Sequence, residues 1–391
     1  MTTTEKPKRL LALDILRGIT IAGMLMVNNP GSWGSIYAPL RHAEWNGLTP
    51  TDLVFPFFMF IMGVSTFISM RKFNFEFSGS ALWKIIRRTI VIFAIGIAIA
   101  WFGKTLRAIV AGTPFPDCIN HFDTIRILGV MPRLALCYCA AALVALLLKH
   151  RYIPALIVGI LVVYSAILIT GNGFEFSTEN IIYIVDHKIL GENHLYTDTV
   201  GGVSLSLDPE GLVSTLPAIA HVLIGFMAGL MIMDTKDNDK RIERLFILGT
   251  LLTFAGFLMD YGMPINKKIW SPSYVLVTCG LASSLLAILI WIIDIKGYKT
   301  WCKFFEAFGI NPLFLYVLGG VLSIIIGSIL VPCSAAESGM MSIKGVIYSQ
   351  WLTPLCGGDK TLASLIFALL FVGFNWVIGY VLYKKKIFIK I

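Results

Sequence analysis

Apolar residues in this chain do not alternate with polar ones; they run in long blocks separated by short polar intervals. Ten such blocks stand out, at 10–28, 52–70, 84–102, 127–148, 152–170, 214–233, 244–260, 273–293, 306–331 and 362–383. A helix needs roughly 20 mostly apolar residues to cross a bilayer. Lipid offers no partner to an open backbone, so helices are the expected form, and the two-residue period of a membrane barrel is missing. The pattern predicts an all-α fold: a polytopic membrane helix bundle of about ten transmembrane helices, forming one domain over 1–391. Asn311-Pro312 falls near the start of the ninth block. Proline lacks a backbone donor, so a shorter helix or a re-entrant piece is the alternative there.

Composition agrees with the pattern. The chain is 57% hydrophobic and 14% charged, with a mean hydropathy of +0.79, against about 25% charged residues in soluble domains. The net charge of +9 would suit nucleic acid if it were clustered, but it follows the blocks instead. With the N-terminus inside, most Lys and Arg fall on cytoplasmic intervals: Lys6, Lys8, Arg9, then Arg71, Lys72, Lys84, Arg87, Arg88, then Lys149, Arg151, Lys236, Lys240, Arg241, Arg244, then Lys296, Lys299, Lys303 and the Lys384–Lys390 end. The positive-inside rule then places both termini in the cytoplasm. Asp14 and Arg17 interrupt the first block and no small-residue cleavage site follows it, so it is expected to remain as the first helix. Of the seven cysteines, Cys137, Cys139 and Cys279 lie in apolar blocks as small hydrophobes. Cys118, Cys333 and Cys356 fall on the outer side, where pairing is open to them. No metal-ligand spacing occurs.

Against this background the polar residues inside or beside the blocks are the candidates for chemistry. Asp14 and Arg17, three apart, share a helix face; an ion pair and a ligand role are the alternatives. Asn28 closes the first block and Asp52 opens the second, both ordinary helix-end residues when taken singly. Between them lies His42-Ala43-Glu44-Trp45-Asn46-Gly47-Leu48-Thr49, a polar island with an imidazole able to titrate near neutral pH. Arg126 opens the fourth block and Arg133 sits within it, where it needs an anion or a wet cavity. Asp208 and Glu210 precede the sixth. His221 inside that block reads as a packed histidine, and His150, His187 and His194 as surface residues.

Taken in order, these segments resemble one family. Leu13-Asp14-Ile15-Leu16-Arg17-Gly18, Met26-Val27-Asn28, the His42–Thr49 island, Asp52-Leu53-Val54-Phe55-Pro56-Phe57 and Phe60-Ile61-Met62-Gly63 are similar to the heparan-α-glucosaminide N-acetyltransferase family. So are Arg126–Leu134, Asp208-Pro209-Glu210-Gly211-Leu212 and Asn311-Pro312-Leu313. Bacterial, NagX-like members are the kind resembled, without the large luminal N-terminal domain of the lysosomal enzyme. The resemblance implies transfer of an acetyl group from cytoplasmic acetyl-CoA to the amine of a terminal glucosamine across the membrane, with His42 as the active-site histidine. Two departures stand out. The Asn28–His42 interval is longer than in the lysosomal enzyme, and Leu128 and Pro132 replace a proline and a glutamine of the fourth-block motif.

On this footing His42, Asn28 and Asp52 are expected to be catalytic. Asp14, Arg17, Arg126 and Arg133 are expected on the acetyl-CoA side, and Trp45, Asn46, Asp208 and Glu210 on the acceptor side. Lys72, Arg87 and Arg88 are placed to meet CoA phosphates or to act only as positive-inside residues. The imidazole would serve as general base or as acetyl carrier. An amino-sugar transporter and an O-acetyltransferase of a surface glycan are the rival readings; the first should carry an internal repeat with paired broken helices, and none is visible. The expected partners are the bilayer and an amino sugar, with a homodimer left open and nucleic acid excluded. The expected place is a bacterial inner (cytoplasmic) membrane.

Overall fold

The computed structural model describes residues 10–235 and 237–389. Lys6, Lys8, Arg9, Lys236 and Lys390, assigned above to the cytoplasmic side, and both chain ends lie outside the described residues. Each of the ten apolar blocks is helical. In chain order the helices are α1 (Leu11–Val27), α2 (Val54–Arg71), α3 (Gly79–Val110), α4 (Val130–Leu147), α5 (Ile153–Thr170), α6 (Ile181–Leu190), α7 (Thr215–Asp234), α8 (Asn238–Asp260), α9 (Pro272–Ile290), α10 (Cys302–Ile310), α11 (Pro312–Ser328), the short α12 (Ile343–Gly345) and α13 (Thr353–Leu355), and α14 (Lys360–Lys384). Two small antiparallel hairpins, β1–β2 (Asp198–Val200, Val203–Leu205) and β3–β4 (Leu330–Pro332, Met340–Ser342), decorate connecting segments.

Eight helices among the described residues are long and apolar enough to cross a membrane, nine if a bent pair counts as one span. This makes the chain an integral membrane protein; the number differs from the expected ten at two places. The 306–331 block is not one rod: it breaks at Asn311, and α10 and α11 meet at 84°. The first block gives only 17 helical residues. Two boundaries also move. α3 runs for 32 residues, because Ser78 caps it by accepting from the Ala81 amide at 3.2 Å and no proline follows until Pro114. α4 begins at Val130, so Arg126 precedes the helix instead of opening it. The long 171–213 interval carries α6 and the β1–β2 hairpin. All seven cysteines are free, including Cys118, Cys333 and Cys356, which the sequence left open to pairing.

Large apolar side chains remain on the outside of the bundle, among them Leu251, Phe254 and Leu258 on α8, Ile90 on α3 and Phe374 on α14. In water such a surface would be unstable; against lipid it is the natural outer face. Inside, helices approach through glycine. A Cβ on Gly63 of α2 would lie 2.1 Å from the Val222 carbonyl of α7, and one on Gly225 of α7 would lie 2.1 Å from the Phe60 carbonyl of α2. Small residues let backbones touch where no hydrophobic drive exists between helices. The α2–α7 contact fixes the helix that carries the start of the site.

Candidate active site

The segment after α1 returns across the top of the bundle and enters α2 through a 3₁₀ turn, Pro50–Leu53. Asp52 sits in that turn with its side chain 1% exposed. Its Oδ2 accepts from the Ala43 amide at 3.0 Å, the Thr49 amide at 3.2 Å and the Thr49 hydroxyl at 2.9 Å. Its backbone oxygen accepts from the Tyr274 hydroxyl at 2.6 Å. The other carboxylate oxygen, Oδ1, lies 2.6 Å from Nδ1 of His42. A contact this short between an acceptor and a ring nitrogen requires the proton on Nδ1, which leaves Nε2 as the nitrogen able to accept one.

Lys267 completes the group. Its ammonium lies 3.3 Å from Asp52 Oδ1 and 3.0 Å from His42 Nδ1. The loop that carries it is tightly held. The Asn266 amide donates to the Ser271 hydroxyl oxygen, and the Asn266 side-chain oxygen accepts from the Lys268 and Ile269 amides. Ile265 accepts from the Gly47 amide at 2.7 Å. Trp270 takes φ +53°, a left-handed conformation that costs a bulky residue energy. Its buried ring, packed edge-on to Phe55 and Tyr274, makes up the difference. Burial pulls the Lys267 amine below the usual lysine range, against the opposing pull of Asp52 and Glu210.

His42, Lys267 and Asn28 line a cavity of about 120 Å³ together with Glu210, Thr51, Val130 and Tyr316. A larger cavity of about 340 Å³ adjoins it, with Arg126, Met131, Pro132, Ile99 and Ile324 in its walls. Met24, Asn28, Val130 and Tyr316 belong to both walls. Asn28, the C-cap of α1, therefore stands where the two meet.

A second charged cluster borders these cavities. Arg126 donates from Nε to Asp208 Oδ2 at 2.8 Å, and from Nη2 to Asp208 Oδ1 and Glu210 Oε2, each at 2.5 Å. Burial opposes the charge on Glu210, but Arg126 outweighs it and holds the carboxyl below its ordinary value. The following turn is clamped from two sides. Arg133, fully buried, donates to the Gly211 carbonyl at 3.2 Å and to the Ser214 hydroxyl and stacks its guanidinium on Trp270. Asp186 of α6 accepts from the Leu212 and Val213 amides, and burial raises its carboxyl to about 6.

The expected residues thus divide. His42 pairs with Asp52 and shares a cavity wall with Asn28, while Arg126, Asp208 and Glu210 form one cluster, of which Arg126 and Glu210 line the cavities. Trp45 and Asn46 are used to dock their loop: the indole donates to the Phe174 carbonyl at 2.8 Å, and Asn46 accepts from the Asn266 side chain at 3.1 Å. Asp14 pairs with Arg17 at 2.9 Å, and Arg17 reaches Ser65 of α2 and the Gly309 carbonyl of α10. His221 donates to the Pro56 carbonyl deep in the core, a packed histidine. Among the cavity residues that escaped the sequence reading are Tyr316 and Lys267. Tyr316 gave no signal. Lys267 did give one: Lys267-Lys268 is a basic pair in an interval that the charge pattern assigns to the outer side. Among the described residues no group of three or more His, Cys, Asp or Glu is placed to hold a metal ion.

The bundle thus carries an aspartate–histidine pair at the wall of a cavity that adjoins a larger one. The chain aligns over its whole length, at 28% identity, with the heparan-alpha-glucosaminide N-acetyltransferase of Mus musculus, covering 62% of that protein. It aligns over 98% of its length, again at 28% identity, with the protein of the same name from Homo sapiens, covering 60% of it. The chain spans less than two thirds of the length of these relatives. No family model matches it. The similarity supports, at the level of family, the resemblance read from the motifs.

Proposed function

We propose that this protein is a transmembrane N-acetyltransferase that moves the acetyl group of cytoplasmic acetyl-CoA onto the amine of a glucosamine-type sugar on the far side of a bacterial inner membrane. The observation that carries the reading is the His42–Asp52 pair on a cavity whose wall is shared with a larger one. Two substrates entering from opposite sides need such a meeting point. The similarity to the two acetyltransferases supplies the reaction class.

The chemistry follows from the residues. The amine attacks in its neutral form: its lone pair makes the new C–N bond as the C–S bond of the thioester breaks. His42 takes at Nε2 the proton that the acylated nitrogen releases, while Asp52 holds the ring. His42 returns its proton to the departing thiolate, giving amide and free CoA. Asn28 donates to the carbonyl oxygen as it gains charge. Glu210 faces the acceptor amine. The apolar walls of the larger cavity suit a pantetheine arm, with Arg126 at its polar edge. Arg133 supports that wall from behind, and Asp14 and Arg17 serve the donor side by holding α1 against α2 and α10.

The test uses purified protein in detergent, acetyl-CoA and a panel of amino sugars, with free thiol as the readout. Thiol release that requires glucosamine, and falls ~10²–10⁴-fold in His42→Ala with the fold intact, is the expected result. Counterflow of sugar in liposomes without acetyl transfer would favour the permease instead. Acid-quench trapping of acetylated His42 in the absence of acceptor would turn the general base into a carrier.

A further inference from the structure

Lys267 has no place in the reaction as derived above, yet its ammonium lies against both members of the His42–Asp52 pair. We propose that Lys267 is a positioning residue: its ammonium, lodged against His42 Nδ1 and Asp52 Oδ1, anchors the carboxylate and keeps the imidazole in its neutral, proton-accepting state. This rests on the acyltransferase reading for its purpose, though not for its physics.

The argument begins with Asp52. Three donors already occupy Oδ2, so the pair with His42 and Lys267 is confined to Oδ1. An isolated aspartate–histidine pair favours the imidazolium, because an opposite charge within ~4–6 Å stabilises the charged form. Here a second cation lies 3.0 Å from the same ring nitrogen. Protonating the ring would set two positive charges side by side on one carboxylate oxygen, and like charges at that range disfavour ionisation. The lysine therefore cancels the carboxylate's pull on the proton without removing the hydrogen bond that orients the ring.

Among the described residues no neighbouring group duplicates this effect. Glu210, in the wall of the same cavity, is engaged by Arg126. Asp208 is engaged by the same arginine. Lys268 turns away to Asp198 at 2.5 Å. On the histidine's own loop, Arg41 donates to the Ile36 carbonyl and Glu44 accepts from the Gly201 amide. Tyr316 and Tyr274 contribute neutral phenols, the latter bound to the Asp52 backbone oxygen. Lys267 cannot drift, because its loop is fixed by Asn266, Ser271 and the buried Trp270.

The experiment is an NMR titration of ring-labelled histidine in the detergent-solubilised protein. The six histidines are sorted by the signal lost in His42→Ala. In Lys267→Met the His42 midpoint should rise by about one pH unit or more, and in Lys267→Arg it should stay within about 0.3 unit of the parent. The acid limb of kcat/KM for acetyl transfer should move in parallel. Should Lys267→Met fail to stay monodisperse, Lys267→Gln, which also lacks the charge, carries the same expectation. A His42 midpoint unmoved by loss of the charge would overturn the proposal. A parent protein without acetyl transfer would instead end the acyltransferase reading, and the midpoints would still be read.

Discussion

Replacing Asp52 with asparagine would preserve the shape of the pair and reverse its polarity. The Ala43 and Thr49 amides require an oxygen on their side, so the new NH₂ would face His42. It would donate to Nδ1 and force the ring proton onto Nε2, leaving no base. The expected outcome for Asp52→Asn is a fall in kcat of at least ~10²-fold with KM for acetyl-CoA nearly unchanged, read by steady-state kinetics on protein whose unfolding temperature is close to that of the parent. Asp186 gives a different kind of prediction. Its carboxyl is raised by burial to about 6 in the fold, above the unfolded value near ~3.9. Its contribution to stability is therefore full below the unfolded value and lost as pH rises through 6. Thermal unfolding should show a fall in stability between pH 4 and 6.5, and Asp186→Asn should flatten it; an unchanged slope would show that the group is not strained. At this scale the sequence was informative where residues are close in the chain. His42 and Asp52 are ten positions apart within one motif. Lys267 joins them from the loop between α8 and α9, a distance no local pattern encodes.

Among the elements, the helices were legible and their joints were not. Long apolar runs announce helices because lipid leaves the backbone no other choice. The Asn311-Pro312 break could be suspected from chemistry, but its angle depends on what the two halves pack against. Asn311, buried, donates to the Ile387 carbonyl and accepts from the Ile389 amide, so the segment after α14 secures the bend. The α2–α7 contact was equally hidden, since Gly63 and Gly225 look like any glycine in a span until their backbones are seen to touch. Gly225→Val would place side-chain atoms into the Phe60 carbonyl. It should push α2 from α7, carry the Asp52 turn with it, and lower both the unfolding temperature and activity. Activity surviving at the parent level would mean that the site does not depend on that contact.

The molecule as a whole was read from charge distribution, and its sidedness follows from the proposed reaction. If the charge pattern sets the proposed topology, a reporter fused after Met70 should read as cytoplasmic and one fused after Leu48 as external; the reverse pattern would put the donor and the acceptor on the wrong sides. One feature of the interior then takes on a second meaning. Met24, Asn28, Val130 and Tyr316 line both the larger cavity and the one at His42. In an energised membrane that shared wall is also insulation. A path open enough to pass a two-carbon group, yet not closed to water, would conduct protons and dissipate the potential that the cell maintains. Three of the four side chains are bulky or branched, and the fourth is a neutral amide, a composition that admits a reacting carbonyl and excludes ions. Tyr316→Ala should therefore leave acetyl transfer measurable while making proteoliposomes lose a pH gradient faster than the parent does. The electrical tightness of the membrane would rest on the same few atoms that bring the substrates together.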